Sequence, residues 1–150
     1  FWHSDISFGE VPPLGSILYA IEITEGRADT MFCNMYDAYE GLSDGLRTMV
    51  DGMTAQHSAE KLVQEVPNRL SVDIAPPSVT HPVVRTHPGT GRKALYVNRP
   101  FTVGLKDMKR EESEPILKYL CAHGARPDFS ARVRWRSGCR RRWWMCRNRR

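Results

Sequence analysis

Residues 81–98, HPVVRTHPGTGRKALYVN, constrain the fold most. Two runs rich in β-branched and aromatic residues flank a Gly-Thr-Gly turn at 89–91, the pattern of two strands joined by a tight connection. Further strands are expected at WHSDISF (2–8), GSILYAIEI (15–23) and FSARVRWR (129–136). Helical periodicity is confined to two places. Residues 34–53 carry a stripe through Met35, Ala38, Tyr39, Leu42 and Leu46, and Gly41 and Gly45 divide it into two short helices. In REESEPILKYLCAH (110–123), Ser113 is the expected N-cap and Pro115 a first-turn residue, with Ile116, Leu117, Leu120 and Cys121 forming the apolar face. TEGRAD (24–29) and 58–80 read as loops. Hairpins interrupted by helices predict a mainly β fold with helical insertions, a sandwich or jelly roll, and argue against a doubly wound α/β sheet.

The 150 residues fit one domain, and 41% apolar content with 26% charge excludes global disorder. No run approaches the roughly 18 apolar residues of a membrane span, so no membrane partner is expected. Cys33, Cys121, Cys139 and Cys146 form no CxxC pair, which predicts reduced thiols and a cytoplasmic setting. The net charge of +5 is unevenly placed. Residues 126–150 hold ten Arg and one acidic residue, whereas 1–125 hold 12 Lys plus Arg against 16 Asp plus Glu. The body is therefore acidic and offers no charge-based case for nucleic acid.

His3 and Asp5, at i and i+2 on a strand, would project from one face together with Ser7. An imidazole nitrogen and a carboxylate oxygen suit Fe(II), Mn or Zn, and a second His would complete a facial triad. Taken alone, the spacing describes a hydrogen-bonded His–Asp pair equally well.

WHSDISF, PPLGSILYA, ADTMFCNMYDAYEGLS, HPVVRTHPGTGRKALYVN, EESEPILKYL and RVRWR follow one another in an order that resembles the TauD/TfdA family of Fe(II)- and 2-oxoglutarate-dependent dioxygenases. The resemblance implies a double-stranded β-helix, a jelly roll with helical insertions, here incomplete. It implies His3 and Asp5 as iron ligands and Thr30 as a contact of the 2-oxoglutarate carboxylate. Phe101 and Ile6 would lie on the substrate side, with plain core packing as the other reading of both. Fe(II), 2-oxoglutarate as cosubstrate, O₂ and a small organic acid such as taurine or a related sulfonate follow from the same resemblance. His81 and His87 are expected to be structural, His57 a packing or surface residue, and Cys33 and Cys121 buried apolar residues.

The sequence also departs from that pattern. The family's second ligand His, its Asp-Asn-Arg and its carboxylate-pairing Arg have no counterpart in RVRWRSGCRRRWWMCRNRR (132–150). The expected organisation is thus a partial dioxygenase domain over 1–137 and an aberrant Arg/Trp-rich tail over 138–150, read as a shifted frame in a piece of a gene, with little or no turnover by this chain. The alternative is a decayed, non-catalytic jelly roll whose Arg/Trp tail binds nucleic acid through phosphate contacts and stacking. At GRADT, Arg27 and Ala28 stand where the family has Gly-Gly, which would strain a turn needing positive φ. A jelly roll lacking strands exposes unpaired edges, so aggregation or a partner is expected, and a homo-oligomer is left open.

Overall fold

The computed structural model describes residues 2–24, 29–60 and 78–144, with 141–144 by their backbone alone. Among these residues, nine strands are arranged in four small antiparallel sheets: β1 (Gly15–Tyr19) with β9 (Arg140–Trp144), β2 (Thr30–Cys33) with β8 (Ser130–Val133), β3 (Thr54–Ser58) between β4 (Ser78–Pro82) and β7 (Thr102–Leu105), and β5 (Val84–Thr86) with β6 (Lys93–Leu95). The helices fully within the described residues are α1 (Met35–Glu40), α2 (Asp44–Asp51) and α3 (Arg110–Gly124), followed by a 3₁₀ turn at Pro127–Phe129.

The hairpin expected at 81–98 forms with Val84 opposite Leu95 and Thr86 opposite Lys93. Gly91 closes it at φ 70, a conformation open to glycine. His87 Nδ1 accepts from the amides of Gly89 and Thr90 at 2.9 and 3.1 Å, so this imidazole caps the turn. The first strand is split. Residues 78–82 pair with β3, and Val83 then crosses to the β5–β6 ladder, its amide donating to Met53 and its carbonyl accepting from Tyr96. Pro82 is tolerated because β4 is an edge strand.

The expected break of 34–53 into two helices is present at Gly41, whereas Gly45, also expected at the break, lies inside α2. Asn34 caps α1 by accepting from the Tyr36 and Asp37 amides, and Ser43 caps α2 by accepting from Leu46 N. A Cβ at Gly41 would lie 2.8 Å from Phe129 Cζ, so this glycine permits close packing of the α1 terminus on the ring after α3. The core joins Ala38, Tyr39, Leu42 and Val50 of the helical insert to Ala55, Val83, Leu95, Val97 and Leu105 of the sheets and Leu117 and Leu120 of α3.

Four expectations are corrected. Residues 2–8 do not form a strand: 2–4 join no ladder and 5–8 form a turn, closed by Gly9 N donating to Ile6 O at 3.0 Å. The alternation there reflects burial of Ser7, not a pleat. Helix α3 begins at Arg110, one turn before Ser113, because the Glu112 carboxylate reaches back to the Lys109 amide at 2.9 Å. Ser113 is buried within the helix and donates to Arg110 O. The loop expected over 58–80 gives up Ser58 to β3 and residues 78–80 to β4, and TVGL, for which no element is expected, becomes β7 on the other side of β3. Finally, 140–144 forms a backbone ladder with β1, although the tail composition suggested no strand. Arg27, Ala28 and the greater part of the 58–80 loop lie outside the described residues, as do 145–150.

Candidate active site

His3 and Asp5 precede and open the turn at 5–8, and both reach an open cleft of about 2130 Å³. His3 Nε2 lies 3.2 Å from Asp5 Oδ1, and both side chains are half-exposed. With metal–donor bonds of about 2.1 Å, two ligands at a right angle sit about 3.0 Å apart. The pair therefore fits two adjacent positions on one divalent ion. The second carboxylate oxygen, Oδ2, accepts from Ser16 Oγ of β1 at 2.8 Å, which fixes the plane of the carboxylate and leaves Oδ1 turned to His3. Ser16→Ala is expected to lower Mn(II) affinity about tenfold, as removal of an outer hydrogen bond to a ligand does; isothermal titration checks this.

Thr30, at the start of β2, lines the same cleft. Its Oγ1 accepts from the Trp135 indole at 2.8 Å. An indole N–H only donates, so the Thr30 hydroxyl proton stays available for an acceptor such as a carboxylate. The two other candidates lie apart from the cleft wall. Phe101 is buried, its ring edge-on to His3 with centroids 6.5 Å apart and 5.0 Å from Phe8. Ile6 is 52% exposed and sits at φ 51.

The chain's remaining four histidines are engaged elsewhere. His57 stacks on Tyr96, His81 stands edge-on to both rings, and Arg85 lies over the Tyr96 ring at 4.4 Å. Burial, then the neighbouring His81 and Arg85, push His57 down to about 3, so its ring is neutral at physiological pH. His57 Nδ1 faces Ser7 Oγ at 3.1 Å, and His81 Nε2 faces Gly9 O at 3.0 Å. His81 is also pushed down, mainly by burial. His123 Nε2 meets the Ala38 carbonyl at 2.8 Å. As expected, His81 and His87 serve structure, and His57 is a packing residue. Among the described residues no group of three His, Cys, Asp or Glu side chains is placed to hold one metal ion.

The sequence reading missed Ser7, Ser16, Asn98 and Trp135. Ser16 and Trp135 carry no local signal, since each acts on a residue far away in the chain.

A profile of the family described as "Taurine catabolism dioxygenase TauD, TfdA family" matches residues 1–141. The chain belongs to the TauD/TfdA family. Three relatives illustrate the likeness. The alpha-ketoglutarate-dependent 2,4-dichlorophenoxyacetate dioxygenase of Cupriavidus pinatubonensis is 32% identical over 140 residues, covering 91% of this chain and 48% of that one. The crystal structure of a taurine dioxygenase from Burkholderia xenovorans superposes with a TM-score of 0.82 at 34% identity, over 95% of this chain and 46% of the other. The structure of AAD-2 with Mn(II) and N-oxalylglycine gives 0.85 at 26% identity, over 98% and 58%. The chain thus spans about half the length of these relatives. Its antiparallel strands and inserted helices are those of part of a TauD-type jelly roll, as the sequence reading expected. No helix among the described residues is long and apolar enough to cross a membrane.

Proposed function

We propose that this TauD/TfdA chain contributes the cosubstrate side of an Fe(II)- and 2-oxoglutarate-dependent dioxygenase acting on a small organic anion, taurine or a related sulfonate. The observation that carries the reading is the His3–Asp5 pair, 3.2 Å apart on the cleft that Thr30 also lines. His3 Nε2 and Asp5 Oδ1 would hold the metal, and the Thr30 hydroxyl would donate to a 2-oxoglutarate carboxylate oxygen. Phe101 and Ile6 would bound the substrate side, Phe101 by backing the His3 ring. Iron with 2-oxoglutarate and O₂ supplies oxidation of an unactivated C–H bond. The protein's part is to orient the two donors, present the Thr30 proton and shelter the cleft behind Trp2, Tyr36 and Leu117.

Because the other histidines are engaged elsewhere, this chain offers one imidazole to the ion, and turnover by it alone is expected to be slight. Binding is the decisive test. Mn(II), followed by the electron paramagnetic resonance signal of the free ion, should bind the wild-type chain. His3→Ala and Asp5→Ala should each weaken it at least a hundredfold. 2-Oxoglutarate should tighten Mn(II) binding in wild type, and Thr30→Val should remove that tightening while leaving Mn(II) binding alone intact. Equal Mn(II) affinity in wild type and His3→Ala would overturn the reading.

A further inference from the structure

Ser7, two residues after Asp5, is fully buried, although it belongs to a turn whose other members are partly exposed. Its Oγ lies 3.1 Å from His57 Nδ1 on β3 and 3.1 Å from Asn98 Nδ2. Asn98 is itself held on every side. Its amide donates to Thr102 Oγ1 at 2.9 Å, its carbonyl accepts from Thr102 N at 3.0 Å, and its Oδ1 accepts from Phe101 N at 3.0 Å. The Asn98 Nδ2 group only donates, so Ser7 Oγ accepts from it, and Ser7 Oγ and His57 Nδ1 share a second hydrogen bond. Between Ser7 and Asp5 stands Ile6 at φ 51. A β-branched residue in the left-handed region costs roughly 1–3 kcal/mol and persists only where its surroundings impose it. The far end of the turn is fixed as well, by His81 Nε2 on the Gly9 carbonyl at 3.0 Å.

We propose that the His57–Ser7–Asn98 cluster is a positioning device for the metal donors: it holds Ile6 in its left-handed turn, and so keeps the Asp5 carboxylate facing His3. Through Asn98 Oδ1 and the Phe101 amide, the same post fixes the aromatic ring that backs His3. The proposal rests on His3 and Asp5 being the metal donors, as argued above. Ser7, His57 and Asn98 are positioning residues: their side-chain hydrogen bonds run to one another and to the Phe101 amide, and of the three Asn98 also lines the cleft.

The test is Mn(II) affinity of the full chain, read again from the free-ion resonance, alongside thermal unfolding. Ser7→Ala is expected to weaken Mn(II) binding about tenfold, and Ser7→Thr, which keeps the hydroxyl, to stay within about twofold of wild type. Val50→Ala truncates a fully buried core residue that does not line the cleft. It should lower stability as much as Ser7→Ala does and leave Mn(II) affinity within about twofold. Should Ser7→Ala not fold, Asn98→Ala takes its place, since it spares the Ser7–His57 bond and should weaken binding several-fold. Wild-type affinity in these variants, with His3→Ala still abolishing binding, would overturn the proposal and leave the metal reading standing. An equal loss in Val50→Ala would also overturn it, by showing that stability alone sets the affinity. Binding that His3→Ala leaves unchanged would remove both.

Discussion

Acidification from pH 6.5 towards 3 is expected to destabilise the fold by up to about 1.4 kcal/mol per pH unit through His57 alone. The ring is fully buried on β3, facing His81, Arg85 and Tyr96, and burial, then His81 and Arg85, push its pKa down from 6.5 to about 3. In the unfolded chain the ring titrates at its ordinary value. Between the two pKa values the unfolded state binds a proton that the folded state does not, so stability rises with pH across this window and is level above it. The loss therefore begins near pH 6.5 and continues to about 3. His81, also pushed down mainly by burial, adds a contribution of the same sign. Urea unfolding across a pH series checks this, with His57→Gln as the comparison. Gln does not titrate, so the slope should flatten, even though carboxylates protonate in the same window in both proteins. An unchanged slope would mean that His57 is not held neutral. The functional consequence runs through Ser7: a charge on the buried ring is placed directly against Ser7, so acid should loosen the turn that carries Asp5 before the whole fold melts.

The sequence made local order legible and left long-range pairing obscure. The 81–98 hairpin is readable because its turn glycines and β-branched runs lie within one stretch, and α1 and α2 because their apolar stripe and the break at Gly41 are local. Strand β3 is not, since TAQHS has weak β-propensity and becomes a strand by pairing on both sides with β4 and β7. The turn at 5–8 looked like a strand for the converse reason. Its alternating polarity is real, but Ser7 satisfies its polarity on the inside, with His57 and Asn98 fifty and ninety-one positions away. The candidate site divides along the same line. His3, Asp5 and Thr30 were found through their neighbours in sequence, and the structure brings all three to one cleft. Phe101, expected on the substrate side or in the core, is buried with its ring edge-on to His3. The residues that orient these groups, Ser16 on Asp5 and Trp135 on Thr30, lie 11 and 105 positions from the groups they serve. No periodicity or motif joins such pairs.

Leu120→Ala is expected to cost about 2–5 kcal/mol, the usual range for deleting a fully buried leucine side chain. Leu120 has no exposed surface and belongs to the cluster in which α3 meets Ala38 and Leu42 of the helical insert and Leu105 of β7. Leu117, one turn back, and the adjacent Cys121 line the cleft, so α3 is at once a core element and a wall of the site. Truncation leaves a cavity that the sheet cannot close, because the facing positions are held in ladders. Leu120→Met, which nearly conserves volume, should cost less than about 1.5 kcal/mol. Chemical denaturation separates the two variants. The metal donors should respond differently. The turn at 5–8 is tied to β3 and Asn98 rather than to α3, so Mn(II) affinity of the folded Leu120→Ala protein should stay within about twofold of wild type. 2-Oxoglutarate binding should weaken further than Mn(II) binding, because the loosened wall faces the cleft that Thr30 shares. Parallel losses in both would show instead that α3 supports the donors directly, and that the wall and the metal turn form one mechanical unit.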